Sequence, residues 1–292
     1  MSDTNITIYD FVASCTKEFE KTDIFLGHGT DNCWDEAVYL TISVLDLAPD
    51  ITEEESQSKI SEKNLSKLTK VMNARINTKM PLPYLTGVAW YRGNKFYVNE
   101  STIIPRSPIG EIIDNDFFGF IETNHPLRIL DLCTGSGALA ILIALAAPQA
   151  QVDAIDISTS ALEIAKKNIE YYELADRVHL LESDLFEQCS NNEQYDLIIS
   201  NPPYVGDNEY QKLPEEFKHE PKMALVSEQD GFDIPLTIVG QASKYLKKGG
   251  GLILEVGYGE KKFDKLITKI NRQWLELSEG GEGVVYISKE AL

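Results

Sequence analysis

The sequence predicts an α/β protein in two parts, a small helical domain followed by a mostly parallel sheet covered by helices. Two observations predict it. The first part carries apolar residues at helical spacing behind capping patterns, and beyond Pro126 short strand-like runs alternate with helix-period stretches, as a parallel sheet requires. A length of 292 residues, enough for about two domains, agrees.

In chain order, helices are expected over Ile8 to Glu20, Asp31 to Leu47 and Thr52 to Ile76. Thr52 with Glu55 forms a capping box for the third, and Ile60, Leu65, Leu68, Val71, Met72 and Ile76 give it one apolar stripe. Gly27 to Asn32 is a turn-rich loop, and Pro49 breaks the chain between the second and third helices. Tyr84-Leu85-Thr86 and Phe96-Tyr97-Val98 then read as strands about a turn at Arg92 to Lys95. The expected division is therefore a helical domain over 1–82, a β-hairpin linker over 83–104 and the main domain over 105–292. Pro105 and Pro108 forbid continuous helix at that boundary. Strands follow at Arg128 to Leu132, Gln151 to Ile155, Val178 to Leu181, Tyr195 to Ser200, Gly251 to Val256 and near Val284 to Ile287, with helices at Gly137 to Ala147, Ser158 to Tyr171, near Ile234 to Leu246, and once more before the last strand.

Composition excludes several classes. The 43% hydrophobic and 25% charged fractions are those of a globular chain, and Ala138 to Ala147 is too short an apolar run to span a bilayer. Acids near the N-terminus, with no apolar core behind them, are unlike a secretory signal, so a cytoplasmic location without membrane contact is expected. Cys15, Cys33, Cys133 and Cys189 form no Cys-x-x-Cys pair and the 4 histidines no His-Glu-x-x-His; inert thiols, surface histidines and no metal are expected. A net charge of −19 repels a phosphate backbone and attracts a basic partner, so direct DNA binding is not expected.

Two motifs carry the chemistry. Asp131 to Ala140, with Gly135 and Gly137, follows a strand and opens a helix, where glycines let a ligand approach backbone amides. Asp156, at the end of the next strand, stands where a carboxylate binds ribose hydroxyls. A nicotinamide cofactor fits that pattern too. The acid Asp131 at the tip of the first strand favours S-adenosylmethionine, which lacks a pyrophosphate and carries a cationic centre. Asn201-Pro202-Pro203-Tyr204 comes directly after the strand Tyr195 to Ser200, at the edge where open sheets bind ligands. Two prolines stiffen the turn, so the Asn201 side-chain oxygen and the Pro202 carbonyl can both accept from one planar –NH2 group, with Tyr204 against its face. Orientation of that nitrogen toward a methyl donor is the catalytic step the turn suggests. Ser183-Asp184-Leu185-Phe186 ends another strand, where the acid can accept from an adenine amine beside an apolar neighbour; read alone, it is an ordinary turn. Val205 to Gln229 lacks periodicity and is expected to be a lid.

Together these motifs resemble the class I S-adenosylmethionine-dependent methyltransferases, and within them the glutamine side-chain methyltransferases of translation proteins. One branch acts on peptide-chain release factors and another, the PrmB type, on large-subunit ribosomal protein three. Gly27 to Ala37, Pro83 to Gly87, Pro105 to Glu111 and the Asp-x-Cys-x-Gly-Ser-Gly form of the glycine loop look like the ribosomal-protein branch; release-factor enzymes typically have Arg-Pro-Asp-Thr-Glu in place of Arg106 to Glu111 and a tryptophan in place of Leu185. The resemblance implies a seven-stranded Rossmann-like sheet with an N-terminal substrate-recognition domain. It implies binding of S-adenosylmethionine by Asp131, Cys133, Thr134, Gly135, Ser136, Gly137, Asp156, Asp184, Leu185 and Asn201, and catalysis by Asn201, Pro202, Pro203 and Tyr204. The partner it implies is ribosomal protein three, free or in an assembling subunit. His219-Glu220-Pro221 and Asp230-Gly231 match the family without an assigned role, and Trp34 and His28 are candidates for the partner surface, although a tryptophan on a helix face is usually core. Alternatives are release-factor methylation, adenine amino methylation of DNA, and a non-catalytic ribosome-assembly factor that keeps the fold.

Overall fold

The computed structural model describes residues 3–122, 125–190 and 194–292. Strand β1 (Asp3–Thr7) leads into α1 (Ile8–Phe19), whose N-terminus Thr7 and Asp10 close with a reciprocal capping box. Helix α1 buries Ile8, Phe11, Val12, Cys15 and Phe19 against α2 (Cys33–Leu45), which Asn32 caps.

The single helix expected over Thr52 to Ile76 is instead α3 (Glu53–Ser56), β2 (Lys59–Ser61) and α4 (Glu62–Thr78). The Thr52 capping box exists, but Ser61 caps a second helix nine residues on, and the strand between them pairs antiparallel with β1. Two N-caps so close together end one helix and start another; only Leu65 to Ile76 belong to one stripe. Tyr84 to Thr86, expected as strand, is α5 (Leu82–Thr86), entered through Pro81 and closed by Gly87 at φ 73°. Proline at the start and glycine past the end are helix punctuation that the β-rich composition obscured. The hairpin itself is β3 (Val88–Tyr91) and β4 (Asn94–Tyr97), joined by Arg92 and Gly93 at φ 50° and 72°, a two-residue turn whose twist matches the strands.

Helix α6 (Ile109–Asp114) precedes a seven-stranded sheet. In chain order its members are β5 (Leu127–Leu132), α7 (Ala138–Ala146), β6 (Ala150–Asp156), α8 (Thr159–Tyr171), β7 (Val178–Glu182) and β8 (Tyr195–Ser200). Short helices α9 (Asp207–Tyr210), α10 (Lys222–Leu225) and α11 (Glu228–Gly231) then lead to α12 (Asp233–Ala242), β9 (Leu246–Glu255), α13 (Glu260–Leu266), β10 (Gln273–Trp274) and β11 (Val284–Ser288). The strand order is β10-β11-β9-β8-β5-β6-β7; β5 to β9 pair parallel, and β11 runs antiparallel to β9 and β10. The order reverses between β5 and β8, so their carboxyl ends open the crevice in which such sheets bind ligands. Apolar cores fill both faces, Ile129, Ile141 and Ile199 on one and Leu130, Ile198 and Leu252 on the other. Among the described residues no helix is long and apolar enough to cross a membrane.

Candidate active site

The glycine loop between β5 and α7 is held open from below. Cys133, Gly135 and Gly137 have φ of 60°, 56° and 78°, and the Gly135 amide donates to Asp156 Oδ2 at 2.8 Å. A Cβ on Gly135 would meet open space, whereas one on Gly137 would come 3.2 Å from Ala165 Cβ. One glycine therefore leaves room for a ligand and the other lets α7 pack on α8. The Ser158 amide donates to Asp156 Oδ1 at 2.9 Å, which aims the carboxylate at the strand end.

Above the loop lies a cavity of about 440 Å³ lined by Cys133, Gly135, Asp156, Asp184, Leu185, Asn201 and Pro203. Thr134 and Ser136 line a small adjoining void. Asp131 and Gly137 form no part of these walls. Asp131 is fully buried beneath the loop, where Thr134 Oγ1 donates to its Oδ2 at 2.6 Å and Oδ1 has no partner. Burial pushes its carboxyl up to about 7. Phe186 also turns away from the cavity and stacks on Tyr245, ring centroids 4.7 Å apart. Burial likewise raises the Cys133 thiol, so it is an inert wall. Ser101, Met223, Val226, Ile234 and Thr237 are also in its walls, brought from three separate segments that carry no motif.

Asn201 also lines a second cavity of about 410 Å³ with Pro202, Tyr204, Arg106, Phe217 and Glu255. Its turn is clamped. The Tyr204 hydroxyl donates to Glu255 Oε1 at 2.6 Å, and Ser107 Oγ donates to the other carboxylate oxygen. A Cβ on Gly231 would stand 2.1 Å from the Tyr204 carbonyl oxygen, which explains the Asp230-Gly231 pattern. Sequence reasoning passed over Glu255, although an acid closing an apolar strand at the carboxyl edge is the same signal as Asp156.

The expected lid, Val205 to Gln229, is a packed strap. Val205 and Val226 pair as a parallel bridge, so both ends are tied at the Asn201 turn. Its middle is tied to the N-terminal helices: buried Glu216 accepts from the Phe25 amide at 2.8 Å and from Arg75 at 3.2 Å, and Arg75 also donates to Glu36 at 2.7 Å. Glu220 accepts from both Arg106 Nη atoms, at 2.6 and 2.8 Å, and from the Ile104 amide at 2.9 Å. Burial would raise the Glu220 carboxyl, but the Arg106 guanidinium paired with it and the neighbouring His28 outweigh that and hold it at about 2. His28, expected on the surface, is 4% exposed beside Phe217, 3.6 Å from Glu220, while Trp34 is 41% exposed and packs edge-on against Tyr9.

The sequence between residues 117 and 231 matches the family described as methyltransferase small domain. Over 98% of its length the chain is 38% identical to the ribosomal protein uL3 glutamine methyltransferase of Bordetella pertussis, covering 96% of that protein. It is 36% identical to the enzyme of the same name from Francisella tularensis, covering 91% of it. The chain belongs to this glutamine methyltransferase family. The structure of the hMettl16 catalytic domain in complex with MAT2A 3′UTR hairpin 1 superposes with a TM-score of 0.51 at 15% identity, covering 86% of this chain and 88% of that one, a likeness of fold. The enzyme uses S-adenosylmethionine as methyl donor, and the 440 Å³ cavity fits it: an open glycine backbone, a strand-end carboxylate and apolar walls meet there.

Proposed function

We propose that the enzyme transfers a methyl group from S-adenosylmethionine to the side-chain amide nitrogen of a glutamine in ribosomal protein uL3. The observation that carries this reading is Asn201 standing in the wall of both large cavities, one beside the glycine loop and the other facing the strap. In it, the Asn201 side-chain oxygen and the Pro202 carbonyl accept from the amide –NH2 and turn its nitrogen toward the donor. Bound S-adenosylmethionine supplies a methyl group on a positively charged sulfur. The two carbonyl dipoles stabilise the positive charge that grows on the nitrogen until one of its N–H protons passes to water, and the Tyr204 ring, braced by Glu255, packs against the face of the planar amide. Asp156, Asp184 and Leu185 hold the nucleoside end of the donor; Asp131, outside the cavity, sets the loop through Thr134.

Residues 1–82 recognise the protein substrate and 83–104 link them to the catalytic domain. The names of the two relatives support uL3 as that substrate. The charge of −19 suits a basic ribosomal protein, free or in an assembling subunit, and disfavours DNA. A ribosomal substrate places the work in the cytoplasm.

Transfer of labelled methyl to unmethylated uL3 and, separately, to a release factor tests this, with mass mapping of the product. Label on a uL3 glutamine is expected. Label on the release factor alone would reassign the substrate, and label on neither would sink the reading.

A further inference from the structure

The target group has two halves, and Asn201 with Pro202 serves only one. A carboxamide donates through its –NH2 and accepts through its oxygen, and a buried oxygen left without a donor costs as much as a lost hydrogen bond. Among the described residues, Arg106 is the one cationic side chain lining the acceptor cavity. Tyr204 already donates to Glu255, and Tyr258 is 88% exposed. Arg106 shares with Asn201 the walls of both the acceptor cavity and the small void of about 40 Å³ beside the glycine loop, so the two side chains face the same two spaces.

The guanidinium is also prepared for the task. Of its five N–H groups, three are engaged by Glu220 and the Ile104 carbonyl. Nε–H and one Nη2–H remain. Its Cζ is held 5.4 Å from the centre of the Phe217 ring, while Glu220 cancels its charge. A donor fixed in this way loses little freedom when a ligand arrives. His219-Glu220-Pro221 thereby acquires a purpose, since Glu220 is what holds Arg106 still.

We infer that Arg106 donates a hydrogen bond to the carboxamide oxygen of the target glutamine and so selects a carboxamide over other –NH2 groups. The inference rests on the proposed glutamine substrate.

Its test is a cycle of enzyme and substrate variants. Affinity is measured for unmethylated uL3 and for uL3 with the mapped glutamine replaced by methionine, a side chain of similar length without the amide. The enzymes are the parent, Arg106→Lys, and the double variant Arg106→Met with Glu220→Gln, which leaves no buried charge alone. Both variants are expected to bind unmethylated uL3 roughly ten- to a hundredfold more weakly, the worth of a hydrogen bond from a charged donor, and to bind methionine uL3 as the parent does. Equal losses with both substrates mean that Arg106 only supports the fold, and no loss with either gives the oxygen another donor; each overturns the inference. Should the double variant fail to fold, Arg106→Lys alone decides between these outcomes. A parent enzyme that methylates no uL3 glutamine overturns the functional reading and this inference with it, whereas an active parent with unaffected variants overturns the inference alone.

Discussion

The two cavities that meet at Asn201 are made in opposite ways. The donor cavity is built on strand ends of one sheet, and its central polar groups, the Gly135 backbone and Asp156, come from consecutive turns of the βαβ unit. The cavity proposed for the acceptor gathers Phe25, Arg106, Phe217 and Glu255, which no local segment unites. A buried acid marks each. Asp131, under the glycine loop, has one unpartnered oxygen and a carboxyl raised to about 7, while Glu220, within the strap, is gripped by Arg106 and lowered to about 2. Burial alone opposes the charge; burial with a bidentate arginine sustains it. The difference teaches that the donor side tolerates an uncompensated group as part of its backbone loop, whereas the acceptor side is assembled by its ion pairs.

The largest effect should come from breaking that assembly. Arg75→Met leaves Glu36 and Glu216 buried without their shared partner and is expected to cost about 3–5 kcal/mol in denaturant unfolding. S-adenosylmethionine binding by the folded fraction should be unchanged, and a parallel loss there would erase the contrast between the cavities. Next, Asn201→Ala acts where they meet: turnover should fall roughly 10²- to 10³-fold, as on losing one aligned dipole, with donor binding retained in calorimetry. Parental turnover would remove Asn201 from the chemistry.

The two acids predict opposite pH slopes, about 4 kcal/mol for Asp131 and about 3 kcal/mol for Glu220. Asp131 titrates near 7 when folded and near 3.8 when unfolded, so the native state holds the extra proton between these values. Its contribution to stability grows as pH falls from about 7 and is complete below about 4. Glu220 titrates near 2 folded against 4.5 unfolded, so its contribution is present above 4.5 and is lost as pH falls toward 2. Asp131→Asn should flatten the first slope in urea unfolding and spare the second; a variant with the parental profile refutes the assignment. The smallest effect is that of Tyr204→Phe, which removes the hydroxyl from Glu255 and should cost about 1–2 kcal/mol, read as a lower melting temperature.

Much of the catalytic half was legible because its signals are local. Strand, glycine turn, helix and acid recur within one βαβ unit, and the Asn201 turn follows its strand without a gap. For Asp131 a local signal is not enough: the pattern puts an acid at a strand tip but does not say on which side of the loop it lies, and here it lies underneath. The break at Lys59–Ser61 was missed because pairing with β1 depends on a contact between distant residues.

By itself, then, the sequence determined the sheet, the donor loop, the Asn201 turn and, through family likeness, the class of reaction, since periodicity, turn chemistry and short spacing act within a few residues. Tertiary structure alone decided the acceptor cavity. Arg75 finds Glu216 across 141 positions and Arg106 finds Glu220 across 114, and only a folded core removes those charges from water strongly enough to make the pairings specific.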